Sequence, residues 1–266
     1  MFEFHKDKER YFDMQFQVTK NYVQPFIAEH IELDQPLNVL EIGCAEAGVL
    51  KAFTELGHKC TGIELNESRI ETAANFMKEE VESGQINFIC RNIYDIDVAK
   101  DIPEKFDLVL LKDVIEHIPD QAKFMQRLRE FLKPTGKVFF GFPPWQMPFG
   151  GHQQICKNKW GGRVPFYHLL PKPIYNGVLQ AMGEPEPVVK ELLEIKDTGI
   201  SIERFESIAK KADFTLLKRK LFFINPIYKY KFNLKPRTQS KVLGSIPYFR
   251  NYYSTCAYYL IGLENS

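Results

Sequence analysis

Two kinds of apolar patterning alternate along the first 142 residues: short continuous runs, and longer stretches in which apolar positions return every third or fourth residue. The runs at 38–42, 60–64, 86–90, 106–111 and 137–142 predict strands, and the periodic stretches at 48–57, 67–82 and 120–132 predict helices. Leu108-Val109-Leu110-Leu111 and Val138-Phe139-Phe140 are apolar at every position, as strands covered on both faces are. Strand and helix in alternation imply crossover connections and an α/β, doubly wound, mostly parallel sheet with helices on both faces. Ahead of it, Tyr11, Phe12, Phe16, Tyr22, Val23 and Phe26 predict an amphipathic leader helix over 8–30, bent or ended near Pro25.

Beyond Phe142 the texture changes, since 11 of the 16 prolines lie there. Pro143-Pro144-Trp145-Gln146-Met147-Pro148-Phe149-Gly150-Gly151-His152 leaves the end of a strand as irregular chain. Residues 143–197 read as a lid over the acceptor side, with helices at 172–181 and 187–195. A helix at 201–211 and aromatic strands at 214–224 and 252–263 then complete a seven-stranded sheet, interrupted by an excursion at 225–250. The chain divides into a leader (1–35), a core (36–142), the lid (143–197) and a C-terminal completion (198–266).

Charge sharpens this division. The total is near neutral, 35 Lys and Arg against 34 Asp and Glu, yet residues 214–263 hold nine basic residues and no acid. Basic residues interleaved with aromatics, as in Tyr228-Lys229-Tyr230-Lys231-Phe232 followed by Lys235, Arg237, Lys241 and Arg250, suit an anionic partner: a phosphate-bearing acceptor, a nucleic acid or a lipid surface. The same alternation also fits a plain strand with a solvated basic face. The five cysteines, Cys44, Cys60, Cys90, Cys156 and Cys256, form no CxxC and read as reduced, buried thiols. The start of the chain is charged and no run of roughly 18 apolar residues occurs, so neither a signal peptide nor a membrane span is expected and the setting reads as cytoplasmic.

The chemistry concentrates after the first strand. Glu41-Ile42-Gly43-Cys44-Ala45-Glu46-Ala47-Gly48 is a turn of small residues that lets backbone approach a ligand. Glu64, ending the next strand, stands where a nucleotide-binding unit places a carboxylate for ribose hydroxyls. These segments resemble the class I S-adenosylmethionine-dependent methyltransferases, together with Asn92 in Cys90-Arg91-Asn92-Ile93, the strand Phe106-Asp107-Leu108-Val109-Leu110-Leu111, Val114-Ile115-Glu116-His117-Ile118 and Phe131-Leu132-Lys133-Pro134-Thr135-Gly136. Alanine stands at two of the three glycines usual in the family's turn. The resemblance covers about residues 38–142 plus the last helix and two strands. It implies a Rossmann-like fold, the cofactor S-adenosyl-L-methionine and the product S-adenosyl-L-homocysteine. It further implies a cofactor site drawn from Glu41, Gly43, Cys44, Ala45, Gly48, Glu64, Leu65, Asn92, Ile93 and Lys112, with Tyr11 covering it from the leader.

A methyl sulfonium is already activated, so the protein must align it with a nucleophile and, for a hydroxyl acceptor, remove a proton. Candidate bases are His152, His168 and His117. Asp113, Glu116 and His117 converge if they share a helical turn. Ubiquinone-pathway O-methyltransferases resemble this cluster with Glu-x-x-Glu-His, associated with a divalent metal, but Asp113 shortens the first arm and no metal is expected here. The reading is methyl transfer to a small or carrier-linked, anionic acceptor, at oxygen, with 143–197 and 225–250 shaping its site and Trp145, Met147 and Phe149 as wall candidates. Its rivals are an RNA-modifying methyltransferase, a non-catalytic protein of the same fold, and a nicotinamide oxidoreductase, whose Gly-x-Gly-x-x-Gly the turn matches loosely.

Overall fold

β-Branched and aromatic runs stand side by side as one eight-stranded sheet in a computed structural model that describes residues 7–264. β1 (Asn38–Ile42), β2 (Lys59–Glu64), β3 (Ile86–Cys90), β4 (Phe106–Lys112) and β5 (Leu132–Phe142) run parallel. β6 (Phe214–Ile224), the two-residue β7 (Arg237–Thr238) and β8 (Cys256–Leu263) follow, with β8 inserted antiparallel between β5 and β6. The order β3-β2-β1-β4-β5-β8-β6-β7 reverses its direction of growth between β1 and β4. In an open sheet of this kind the crevice beyond the carboxyl ends of those two strands receives ligands.

α1 (Lys8–Val18) passes through a π-helical turn, Thr19–Val23, into α2 (Gln24–Ile27). Pro25 has no N–H to offer the carbonyl four residues back, so the wider turn sits just ahead of it and the leader ends at Ile27 rather than residue 30. α3 (Gly48–Thr54), α4 (Glu67–Phe76), α5 (Lys78–Glu82), α6 (Val98–Asp101) and α7 (Gln121–Phe131) lie between the parallel strands. The stretch expected as one helix over 67–82 is broken at Met77, whose φ of −112° and ψ of 31° are not helical. α8 (Lys172–Ala181) and α9 (Glu186–Thr198) follow β5, and α10 (Ile202–Lys211) leads into β6. Asn66, Asp120 and Ser201 cap α4, α7 and α10 by accepting the N–H three residues on, each contributing about 1 kcal/mol.

Alternate residues of the strands feed two cores. Leu40, Ile42, Val109 and Leu111 pack on one face with Phe124, Leu128 and Phe131 of α7 and Phe205 of α10. Val39, Leu108, Leu110 and Phe139 pack on the other with Leu50 and Phe53 of α3 and the end of the leader. A third, smaller cluster, Cys156, Tyr167, Tyr175, Leu179, Val189 and Leu192, holds the segment after β5 together.

The structure corrects several sequence expectations. The sheet has eight strands, because two residues of the basic excursion pair with the end of β6. Residues 249–253 form a 3-10 turn, so β8 starts at Cys256 rather than 252. Tyr228-Lys229-Tyr230-Lys231-Phe232 is not an alternating strand but a short helix, α11, followed by α12 (Lys241–Ser245). Its Tyr228 and Phe232 rings meet at 5.3 Å centre to centre, a spacing that i, i+4 positions of a helix allow and that of a strand does not. Cys90 is exposed, whereas the other four thiols are buried, and none is in a disulfide. The charged residues 1–6 lie outside the described residues.

Candidate functional site

The loop after β1 needs backbone that only small residues supply. Gly43 has a φ of +70°, and a Cβ there would lie 2.7 Å from the Val114 side chain of the loop after β4. At Gly48 a Cβ would meet the Phe12 carbonyl of α1 at 2.4 Å, so this glycine lets the leader helix close against α3. Ala45 and Ala47 also take left-handed φ, +50° and +67°, a conformation that costs a non-glycine residue about 1 kcal/mol or more. The loop keeps the glycine-rich conformation with alanines in two of its left-handed places.

Around this loop lies a cavity of about 110 Å3, lined by Tyr11, Glu41, Gly43, Cys44, Ala45, Gly48 and Lys112 together with Phe12, Gln15, Glu46, Val49, Arg69 and Asp113. Burial pushes the Glu41 carboxyl well above its ordinary value, against the opposing pull of Lys112. Oε2 of Glu41 and Oε1 of Gln15 are buried with no hydrogen-bond partner, two bare acceptors in one cavity. Buried acceptors without donors cost free energy, so this cavity fits the α-ammonium of an amino-acid ligand. Arg69 is held by Glu46 through Nε at 3.1 Å and Nη2 at 2.9 Å, closing the far wall.

Glu64 reaches the loop from β2: its Oε2 accepts from the Ala45 N–H at 3.0 Å, and its Oε1 from those of Leu65 and Asn66 at 2.8 and 3.1 Å. Glu64 itself borders the loop without lining the cavity, and Leu65, Asn92 and Ile93, further along the same sheet edge, do not line it either. Leu65 is exposed, Ile93 is in the core, and Asn92 uses Oδ1 to accept from the Tyr94 N–H.

After β4, Asp113 turns into left-handed φ of +58° with its N–H donating to the Gly141 carbonyl, and Lys112 pairs with its carboxylate at 2.8 Å. Burial alone would raise the Asp113 carboxyl, but Lys112 outweighs it and holds it below the usual range. The following residues form a 3-10 turn, Ile115–His117, so Asp113, Glu116 and His117 do not share an α-helical face as the sequence suggested. The group that does converge is Glu116, His117 and His152, whose ligand atoms all lie within 4.8 Å of one another. The His117 and His152 rings stand edge to face, 5.0 Å between centres. Burial pushes His117 below its ordinary value and His152 down to about 4, so both are neutral at pH 7. Glu116 is 4% exposed, burial raises its carboxyl well above the usual range, and neither of its oxygens has a hydrogen-bond partner. Two neutral imidazoles beside a bare carboxylate are a donor set that a divalent cation accepts.

His168 takes a different place from the one expected. It is wholly buried, its Nε2–H donates to the Trp145 carbonyl at 2.8 Å, and its Nδ1 accepts from the Gln153 amide at 2.7 Å. With both nitrogens committed, it holds the chain after β5 in shape and has no free edge for a substrate proton. Trp145 meets that histidine edge to face, 4.7 Å between ring centres, rather than an open pocket. Arg250, counted with the basic face in the sequence, is 6% exposed and bound to Glu203 and Glu206 at 2.9 Å each.

A second, apolar cavity of about 360 Å3 opens beside the first, lined by Met147, Pro148, Phe149, Gln154, Gly162, Tyr228, Lys231, Phe232, Leu234 and Thr255. His152 sits in the chain between Phe149 and Gln154 of this wall. Lys231 is the one cation among those residues; burial pushes it down to about 8, while Asp113 on the first cavity pulls the other way. Sequence reasoning placed Lys231 in a basic face and missed its inward turn. The signal was present in the spacing, since Tyr228, Lys231 and Phe232 stand at i, i+3 and i+4 of a helical turn.

Residues 16–168 match a family model described as a methyltransferase domain. The ubiquinone biosynthesis O-methyltransferase of Coxiella burnetii is 28% identical over 121 residues, 44% of this chain and 50% of that protein. That of Pseudomonas syringae pv. tomato is 32% identical over 102 residues, 38% of this chain and 42% of that protein. The chain thus spans half or less of the length of these curated relatives. Among solved structures, an S-adenosylmethionine-dependent methyltransferase from Clostridium acetobutylicum aligns over 98% of this chain and 99% of its own, with a TM-score of 0.57 at 12% identity. Magnesium protoporphyrin IX methyltransferase from Synechocystis, with bound S-adenosylhomocysteine, aligns over 95% and 84% with a TM-score of 0.54 at 11% identity. These two likenesses bear on the fold alone. With more than half of its length matched by the family model, on a sheet whose switch point carries the loop described above, the chain belongs to the S-adenosylmethionine-dependent methyltransferase family with a Rossmann-like fold.

Proposed function

We propose that the chain transfers the methyl group of S-adenosylmethionine to an oxygen of a small, largely apolar acceptor seated in the second cavity. The observation that carries this reading is the closeness of the two cavities: Asp113 and Tyr11 line the first, Lys231 of the second feels the Asp113 charge and lies 5.5 Å from the Tyr11 ring centre, and the neutral His117–His152 pair stands alongside. The name of the curated relatives supports oxygen as the receiving atom.

In this reading Glu41 and Gln15 accept from the ammonium of the methionine tail, Glu64 takes the ribose hydroxyls and Asn92 meets the adenine edge. The apolar wall of Met147, Phe149 and Phe232 excludes water and aligns the acceptor with the sulfonium methyl, which is most of what the reaction needs. An imidazole pushed down to about 4 is a weak base by itself. Lys231, as an ammonium in a cavity of low polarity, makes the acceptor hydroxyl more acidic and stabilises its developing anion. His152 then takes the proton as the oxygen–methyl bond forms and the carbon–sulfur bond breaks, leaving the neutral thioether. His117, which is open to solvent, can pass the proton out.

A second reading rests on Glu116. A divalent ion held by Glu116, His117 and His152 would supply Lewis-acid polarisation of the same oxygen.

The test is methyl transfer to a panel of apolar phenols, followed as rate against pH for the protein, His152→Ala and Lys231→Met, with and without EDTA. The proposal expects the rate to fall as pH rises through about 8, where Lys231 loses its proton, and this limb to vanish in Lys231→Met. It expects His152→Ala to lose roughly a hundredfold in kcat. Insensitivity to EDTA favours the imidazole route; a loss restored by a divalent salt favours the second reading. Full turnover in both variants would remove both.

A further inference from the structure

Among the described residues 18 large apolar side chains are exposed, and nine of them fall between residues 223 and 253. Leu234, Val242, Ile246, Tyr248, Phe249 and Tyr253 are representative, with Val242 72% and Tyr248 71% exposed. The elements that carry them add little to the interior: neither α11 nor α12 buries a residue, and β7 is two residues long. They are nonetheless fixed in place. Gln239 donates its N–H to the Leu221 carbonyl, Thr255 donates to that of Phe222, and Tyr248 and Asn251 donate to Glu203 of α10. A firmly placed apolar surface facing water needs something to cover it.

The charge around it narrows what that is. No acid occurs in residues 214–263, and three of the basic residues there, Lys218, Arg219 and Arg250, are taken up by Glu29, Glu203 and Glu206. Lys235, Arg237 and Lys241 remain on the exposed rim and make no ion pair among the described residues. A nucleic acid would be gripped by a denser cation track and by rings, and it has no use for Leu234, Val242 and Ile246. An anionic bilayer uses all three kinds of side chain: aliphatic groups enter the acyl boundary, tyrosines sit at headgroup level, and lysine and arginine meet the phosphates.

We propose that the face formed by residues 223–253 docks on the surface of a bilayer rich in anionic lipid. Phe232 and Leu234 belong both to this face and to the apolar cavity, so the cavity mouth lies at the docked surface. If the acceptor reading above holds, that places the mouth where a membrane-dissolved acceptor is delivered; the docking itself does not depend on that reading.

The experiment is sedimentation of the full chain with vesicles of phosphatidylcholine alone and with phosphatidylglycerol added, in low and high salt, with no methyl acceptor present. The proposal expects binding to the anionic vesicles, weaker by tenfold or more to the neutral ones, and weakened again by salt, since each cation near the surface is worth about fivefold. Val242→Asp with Ile246→Asp, and separately Lys235→Glu with Lys241→Glu, lower binding while S-adenosylhomocysteine affinity, which reports the distant cavity and the intact fold, stays unchanged. No binding to either vesicle, equal binding to both, or retention of a single-stranded RNA oligonucleotide in their place overturns it.

Discussion

At the scale of the residue, the loop after β1 departs from its family's glycine pattern and still takes the same path. Ala45 stays at a φ of +50°, where its Cβ crowds the backbone, so strain is built into the ligand loop. Ala45→Gly should therefore stabilise the chain by about 0.5 to 1 kcal/mol, the relief outweighing the extra freedom that glycine brings to the unfolded state. A thermal melt checks this, and an unchanged or lower midpoint would mean that the loop is not strained. The histidines show why residue types alone mislead. His152 and His168 both follow Phe142 at short 3-10 turns, yet one stands beside His117 and Glu116 while the other has both nitrogens bound inside the fold. Which of two loop histidines turns toward a site depends on partners such as Gln153 and the Trp145 carbonyl, and neither choice is written in the local sequence.

At the scale of the element, the 3-10 turn at 249–253 is fastened to the start of α10. Arg250 bonds Glu203 and Glu206, Asn251 accepts the Ile202 N–H, and its amide donates to Glu203. Removing Arg250 would take the cation shared by two partly buried carboxylates out of the network, and Arg250→Ala is expected to cost about 2 to 4 kcal/mol in denaturant unfolding. A loss under about 0.5 kcal/mol, the size usual for a surface site, would contradict the buried network. Burial acts to raise Glu203, but the Tyr248 N–H and the Asn251 amide prevail and hold its carboxyl below the ordinary value. A carboxylate lowered in the folded state stabilises above its unfolded pKa, and this contribution fades as pH falls through the lower folded value. The turn should therefore loosen in acid, below about pH 4.5. In the sequence Arg250 looked like one more cation of an anion-binding face; its partners lie 44 and 47 positions away, beyond any local pattern.

At the scale of the whole molecule, the parallel half of the sheet was legible because the stretches of a strand buried on both faces are apolar at every position, as Leu108-Val109-Leu110-Leu111 of β4 and Val138-Phe139-Phe140 of β5 are. The ligand loop after the first strand followed from the order of the motifs, while the switch between β1 and β4 that makes room for the crevice is seen only in the fold. Legibility fell where short elements carry the decision. A five-residue helix with three aromatic rings, α11, reads as a strand on alternation alone, so the inward turn of Lys231 went unseen. A two-residue β7 has no periodicity to detect. The acidic remainder of the chain and the acid-free stretch 214–263 were visible as numbers, but only the fold shows that Lys218, Arg219 and Arg250 are spent internally while Lys235, Arg237 and Lys241 face outward.

The cradle formed by the loop after β1 and the tip of β2 is the claim on which the remainder depends. Calorimetric titration of S-adenosylhomocysteine into the protein and into Glu64→Ala tests it most directly. The account predicts one-to-one binding that weakens roughly tenfold to a hundredfold when the carboxylate is removed, the worth of hydrogen bonds to a charged group. Equal affinity in the two proteins, or no binding to either, would contradict it.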